Sequence, residues 1–294
     1  MIGKISGTTK VCGLFGDPVE HSFSPAMHNA AFSSLGLDYV YVPFLVAPAD
    51  LGQALAAVRA LNLAGVNVTV PHKEKVLPFL DELAPEAEIA GAVNTIVRQE
   101  GRLIGHNTDG AGFLRALAIE TGFAPEGKNV LVLGAGGAAR AVSAALARAG
   151  AREIRIAGRT AQKAAELARE INERVRGRAQ AIRWGEEDLL ESLPEVQLVI
   201  QATPVGMHPR LEDCPPFPFQ GLRSGHLVCD LIYHPPLTKF LARAKAAGAR
   251  ILNGLGMLLY QGVLAFELWT GVSAPVEVMR RALVEELRRR NSSI

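Results

Sequence analysis

Cysteine is scarce in this chain: three in 294 residues, Cys12, Cys214 and Cys229, with no C-x-x-C pair. That excludes a disulfide framework and a cysteine-built zinc module. The pattern suits a reducing compartment, where buried thiols behave as small apolar residues. Charge of one sign is lacking too. Lys and Arg number 31 against 29 Asp and Glu, a net +2. With aromatics at 6% and no basic stripe running among them, a nucleic-acid partner is not expected. No apolar run approaches the roughly 18 residues of a membrane span, and no apolar signal-peptide core stands at the amino terminus. No His, Cys and Asp cluster has metal-ligand spacing. These absences predict a cytoplasmic protein without metal or membrane; no exposed apolar stripe stands out from the core, so the sequence leaves monomer and homodimer both open.

Glycine and proline are plentiful, at 29 and 17, and hydrophobic residues make up 49%. This composition suits an α/β protein with many tight turns, and the length admits two domains. The turn Gly134-Ala135-Gly136-Gly137-Ala138-Ala139 is the sharpest local signal. The apolar run Val130 to Leu133 enters it and reads as a buried parallel strand, and Ala138 to Ala149 leaves it as a helix closed by Gly150. A strand, a glycine turn and a helix make a dinucleotide site. Gly134 permits the tight turn, Gly136 lets backbone approach a pyrophosphate, and small Ala139 lets helix and strand pack closely. Free N–H groups at the helix start hold phosphate. More than a hundred residues precede this unit, so the substrate domain is expected first.

The next strand, Glu153 to Ala157, ends in Gly158-Arg159-Thr160, with Lys163 one turn into the following helix. An NAD site usually places a carboxylate here, about 20 residues past the first glycine. A carboxylate repels a ribose 2′-phosphate, whereas a guanidinium holds it through paired hydrogen bonds. Thr160 offers a helix cap and a hydroxyl to the same phosphate. The reading favours NADP over NAD.

Strands are expected at Lys10 to Phe15, Tyr39 to Leu45, Gly65 to Val70, Ala92 to Arg98 and Leu103 to His106, the last two joined across Glu100-Gly101. Helices are expected from Pro25 with Ser24 as cap, over Asp50 to Leu61, from Pro71 to about Ala90, and from Asp109 or Gly110 to Thr121. After the break at Gly122 to Lys128, further strands fall at Ala179 to Ile182, Leu198 to Gln201 and Leu227 to Leu231. Such alternation implies mostly parallel sheets with covered faces. Gly254 to Gly271 and Pro275 to Arg290 read as two closing helices with no strand between, expected to return to the first domain, and Arg288 to Ile294 as a fraying end. The domains are read as 1–108 with 255–294, and 109–254.

Four polar segments fall at element ends in the first domain, where ligand sites of α/β sheets collect. In His21-Ser22-Phe23-Ser24-Pro25, Ser22 and Ser24 either grip a carboxylate or hydroxyl, or Ser24 merely caps the helix. In Asn67 to Lys73, Asn67 and Thr69 share a strand face and Lys73 follows at the exit; His72 reads as structural. Asn94 is an amide in an apolar strand and needs a partner. Asp109 either caps a helix or pairs with Lys73. In the second case the pair suits ketone reduction: an ammonium meets the negative charge developing on oxygen, and a carboxylate favours its charged form.

These segments, Gly16 to Asn29, Asn67 to Lys73, Ala92 to Thr95 and Asn107 to Gly110, resemble the substrate-binding motifs of the shikimate dehydrogenases. Gly134 to Arg140, Ala202 to Met207 and Gly254-Leu255-Gly256-Met257 resemble the family's NADP-domain motifs. The resemblance covers nearly the whole chain. It implies an N-terminal α/β substrate domain and a Rossmann-like NADP domain. It also implies reversible NADPH-dependent reduction of 3-dehydroshikimate to shikimate, on the route to chorismate and the aromatic amino acids. By the same resemblance, Ser22, Ser24 and Tyr233 meet the substrate carboxylate, and Thr69, Asn94, Asp109 and Gln261 meet the ring hydroxyls. Lys73 is the acid/base, and Thr203, Met207, Gly254 and Met257 belong to the cofactor side. Two positions depart from the family: Gly158, where Asn is frequent, and Gln201, where Asn is common. The alternative is a quinate/shikimate dehydrogenase with relaxed cofactor use.

Overall fold

A computed structural model describes residues 5–175 and 177–291. The chain divides into two units, Met1–Thr108 with Leu259–Ile294, and Asp109–Leu258.

The first unit begins with β1 (Lys10–Gly16), α1 (Ser24–Ser34), β2 (Tyr39–Leu45), α2 (Leu51–Ala60) and β3 (Gly65–Val68). It continues through β4 (Glu82–Leu83), α3 (Pro85–Ala90), β5 (Thr95–Gln99) and β6 (Arg102–His106). The sheet order is β2-β1-β3-β5-β6-β4. The β1/β2, β1/β3 and β4/β6 pairings are parallel, and β3/β5 and β5/β6 antiparallel. The central strands β1 and β3 are apolar and buried, as strands covered on both faces must be. Pro43 sits on edge strand β2, where a missing N–H costs no ladder bond. Glu100 and Gly101, with φ of 50° and 80°, form the tight turn between β5 and β6.

Several expected boundaries shift. Ser24 is the first residue of α1 rather than its cap; Phe23 occupies the cap position and no side chain caps it. β3 stops at Val68, so Thr69 lies past it, where its N–H donates to the Phe15 carbonyl of β1 (2.9 Å). Asn94 precedes β5. The expected helix from Pro71 to about Ala90 is broken: a 3₁₀ turn at Leu77–Phe79, the short β4, and only then α3. Pro78 and Pro85 supply the reason, since each removes a helix donor and survives only in a first turn.

The second unit follows with α4 (Asp109–Thr121), β7 (Asn129–Leu133), α5 (Gly137–Arg148), β8 (Glu153–Ala157), α6 (Ala161–Val175) and β9 (Ala179–Ile182). Then come α7 (Glu186–Ser192), β10 (Leu198–Gln201), β11 (Leu227–Asp230), α8 (Lys239–Ala246) and β12 (Arg250–Leu252). All strands are parallel, in the order β12-β11-β10-β7-β8-β9. The period-2 alternation of β7 divides two cores. Val130 and Val132 join one with α5 and α6 residues, while Leu131 and Leu133 join another with α7 and α8 residues. α7, α8 and β12 had no counterpart in the sequence reading.

Two helices close the chain: α9 (Leu255–Thr270), within which the division between units falls, and α10 (Val276–Asn291). The fray expected from Arg288 does not occur through residue 291, and 292–294 lie outside the described residues. Arg290 explains the order. It pairs with Glu286 (2.7 Å), donates to the Ser22 carbonyl (3.2 Å) and stacks over Phe23 (4.6 Å to the centroid). Among the described residues, no helix is long and apolar enough to cross a membrane, and no group of three or more His, Cys, Asp or Glu could hold a metal ion.

Candidate active-site residues in each unit

In the first unit, β1 leads to β2 on one side while β3 lies on the other, so strand order reverses at the carboxyl ends of β1 and β3. Loops diverge at such a point and leave a crevice. The loop after β1 carries Ser22 and leads to Ser24; the loop after β3 carries Thr69 and Lys73. The Asp17 N–H donates to the Val70 carbonyl (3.0 Å) and ties them together. β5 runs antiparallel to β3, so Asn94, just ahead of it, reaches the same edge. The Val93 N–H donates to the Lys73 carbonyl (2.8 Å), which fixes the half-buried lysine's backbone beside Asn94. Ser24 donates its N–H to Ser22 Oγ (3.2 Å).

Asn94 is 2% exposed and centres a buried polar network. Its Oδ1 accepts from the Thr108 N–H (2.8 Å) and from Thr95 Oγ1 (3.1 Å). Its Nδ2 donates to Thr108 Oγ1 (2.9 Å) and to Gln261 Oε1 on α9 (3.3 Å). A backbone N–H can only donate, so Thr108 sets which way the amide faces. Behind it, Asn67 Nδ2 donates to the Asn94 carbonyl (3.1 Å) and to Thr95 Oγ1 (3.0 Å), and Tyr41 donates to Asn67 Oδ1 (2.8 Å). The expected partner of Asn94 is therefore a cluster. Thr95, Thr108 and Tyr41 were not singled out from sequence. His72 is structural: fully buried, its Nε2–H donates to the Val46 carbonyl (2.7 Å). His28, also buried, stacks on Tyr41 with centroids 4.5 Å apart, and burial pushes its imidazole down to about 3, so it stays neutral.

In the second unit, the strand order reverses between β7 and β10, and the glycine turn leaves β7 there. Gly134 has φ +126°, and a Cβ on it would lie 3.0 Å from the Ala202 carbonyl oxygen and 3.2 Å from Thr203 Cγ2. Only glycine fits both demands. Beyond it, through Ala135, the turn opens. A Cβ on Gly136 would meet nothing within 4 Å. α5 starts at Gly137-Ala138 without a side-chain cap, so its first N–H groups serve the open space, while Ala139 is fully buried beneath. This cradle fits a dinucleotide pyrophosphate.

Around that edge, Gln201 resolves one departure from the family. Its Oε1 accepts from the Thr203 N–H (2.5 Å), and its Nε2 donates to the Thr203 and Val205 carbonyls (3.0 and 3.2 Å) and to Asp230 Oδ1 (3.3 Å). It therefore shapes the segment leading to the half-exposed Met207. Asp230 accepts from Thr238 Oγ1 (2.6 Å) and the Ile232 N–H (3.0 Å), and burial pushes its carboxyl up to about 7. Tyr233 follows, half-buried. Gly254 packs so closely on the Leu231 carbonyl that no Cβ fits, and Met257 lies in the apolar core. Asp109 is buried at the start of α4. Arg159, Thr160 and Lys163 stand exposed past β8.

Comparison with known proteins agrees in all parts of the chain. The family pattern "Shikimate dehydrogenase substrate binding domain" matches residues 14–96, "Shikimate / quinate 5-dehydrogenase" 117–211, and "Shikimate 5'-dehydrogenase C-terminal domain" 254–284. The chain is 59% identical to the shikimate dehydrogenase (NADP(+)) of Desulforamulus reducens, over 97% of this chain and 98% of that protein. A shikimate dehydrogenase crystallised with NADP+ superposes with a TM-score of 0.89 at 45% identity, covering 97% of this chain and 98% of its own. Shikimate 5-dehydrogenase from Listeria monocytogenes, in complex with shikimate and NAD, also gives 0.89, at 40% identity, covering 96% and 99%.

Proposed function

The chain belongs to the shikimate dehydrogenase family, and from that premise we propose the following reading of its chemistry and residues. The enzyme is an NADP-dependent oxidoreductase that reversibly reduces 3-dehydroshikimate to shikimate, serving chorismate and aromatic amino-acid biosynthesis. The observation that carries the substrate side is the Asn94 network, a dry set of directional amide and hydroxyl groups at a strand edge, suited to a polyhydroxylated ring.

Bound NADPH supplies the hydride. The chain supplies the rest. Lys73 donates the proton to the carbonyl oxygen as its negative charge grows, which leaves it as the neutral amine, and on the reverse path that amine takes the hydroxyl proton and becomes the ammonium again. Asp109 orients the lysine and meets a ring hydroxyl. Ser22, Ser24 and Tyr233 receive the carboxylate, and Thr69, Asn94 and Gln261 the remaining hydroxyls. Gly134, Ala135, Gly136, Gly137 and Ala138 hold the pyrophosphate. Arg159, Thr160 and Lys163 take the 2′-phosphate, and Thr203, Met207, Gly254 and Met257 the nicotinamide end. Residues 1–108 with 255–294 form the catalytic domain and 109–254 the cofactor domain. The protein acts in the cytoplasm on a small molecule, as a monomer or homodimer, with its three cysteines unpaired.

Steady-state rates on shikimate and quinate, each with NADP and NAD, test this. Shikimate with NADP should give the highest kcat/KM. Comparable rates on quinate, or with NAD, would instead assign the chain to the quinate-accepting branch with relaxed cofactor use.

A further inference from the structure

β8 and β9 are parallel neighbours, with Ala157 opposite Ile182. The strand ends lie about 4.8 Å apart, and the residues that follow leave them as neighbours: Gly158-Arg159 from one strand and Arg183-Trp184 from the other. All four line one cavity of ≈ 830 Å³ within the second unit, inside the usual range of about 300–1,000 Å³ for small-ligand sites.

The lining is chemically divided. Arg159 and Arg183 both bring exposed guanidinium groups, and neither has a hydrogen-bond or ion-pair partner among the described residues. Trp184 forms a flat wall, its indole held by Nε1–H donating to the Pro216 carbonyl (2.9 Å). The acidic first turn of α7 lines the cavity as well. A matching ligand carries an anion for the guanidinium groups, a flat ring for the indole and an amino group for the carboxylates. A phosphate held by Arg159 alone would be opposed by those carboxylates, and a second guanidinium offsets them. A phosphate has three terminal oxygens and one arginine engages two, so there is room for both.

We propose that Arg183 and Trp184 complete the site for the 2′-phosphoadenosine end of NADP: Arg183 shares the 2′-phosphate with Arg159, and Trp184 packs against the purine. The inference rests on the NADP reading above. It makes cofactor preference depend on a residue one strand away from the glycine-turn unit.

Equilibrium calorimetry on the full chain tests it with two ligands that differ only in the 2′-phosphate, adenosine 2′,5′-bisphosphate and 5′-AMP. Arg183→Ala should weaken the bisphosphate about tenfold or more and change 5′-AMP less than about twofold, with Arg183→Lys between. Trp184→Ala should weaken both ligands alike. The proposal is overturned if Arg183→Ala leaves the bisphosphate within about twofold while Arg159→Ala weakens it, or if Arg183→Ala weakens both ligands equally. Should the unaltered protein show no preference for the bisphosphate, or Arg159→Ala not reduce that preference, the NADP reading fails and the inference goes with it.

Discussion

The two units both present a six-stranded sheet whose order reverses beside its leading strand, yet they prepare their ligand edges by different means. In the first, the edge is made of side chains: Asn94, Thr95, Thr108, Asn67 and Gln261 hydrogen-bond to one another while nearly dry. In the second, the edge is made of backbone: Gly134's left-handed turn and the uncapped start of α5, with arginines outside. With substrate proposed for the first edge and cofactor for the second, the ligand chemistry accounts for the contrast. A ring of hydroxyls is recognised by direction, and direction needs amides and hydroxyls locked by partners. A pyrophosphate is recognised by charge and close approach, which N–H groups and glycines provide without side chains.

Removing the proposed proton donor should break the symmetry most. Lys73→Ala is expected to lower kcat by about 10²–10⁴ while NADP affinity stays within about twofold. Near-normal turnover in that variant would take the proton donor out of the first unit.

Asn94→Ala strikes the side-chain edge. It strands the buried Thr108 N–H, costing about 1–3 kcal/mol of stability. Shikimate kcat/KM should fall roughly a hundredfold, since about 2.7 kcal/mol of directional contact corresponds to that factor. Calorimetric NADP affinity should not follow; if it did, the two edges would not be separable in this way.

Gly134→Ala strikes the backbone edge. A Cβ at φ +126°, 3.0 Å from the Ala202 oxygen, forces the turn to shift. NADP affinity should fall about tenfold, with roughly 1–2 kcal/mol of strain, and direct shikimate binding should be unaltered. Loss of shikimate binding to the free enzyme would contradict the division.

The smallest effect separates the units by pH. Burial pushes His28 in the first unit from 6.5 down to about 3. The unfolded chain then takes that proton more readily, so stability is lost as pH falls below about 6.5. Burial lifts Asp230 in the second unit from 3.8 to about 7. Here the native state holds the proton more tightly, so stability is lost as pH rises from about 4 through 7. Asp230→Asn should flatten the neutral limb of melting temperature against pH, and His28→Gln the acid limb, each by a few degrees at about 2–4 °C per kcal/mol. A neutral limb unaltered in Asp230→Asn would show that this carboxyl is not the group responsible.

The strands were legible where an apolar run is bounded by turn residues. Tyr39–Leu45, Glu153–Ala157, Ala179–Ile182 and Leu198–Gln201 lie where the pattern predicts. The 71–90 stretch was misread as helical because the breaks that Pro78 and Pro85 impose were not taken into account. α7, α8 and β12, at 7, 8 and 3 residues, are too short for periodicity to speak. In the candidate site, the glycine turn was readable because its signal is contiguous. Tyr41, Thr95, Thr108 and Arg183 were not, because each matters through a partner remote in sequence.

Contiguous residues by themselves determined that a dinucleotide turn follows a long α/β segment, that Arg159 stands where a carboxylate would select NAD, and which family the motifs resemble. Their reasons are short-range: backbone dihedrals, strand periodicity and single charges act within a few residues. Only the tertiary structure decided which way Asn94's amide faces, that His28 stays neutral, that Gln201 shapes the 202–207 segment and that Arg183 leaves the sheet beside Arg159. Those outcomes depend on hydrogen bonds and strand register between residues far apart in the chain, and such distances close only when the sheets form.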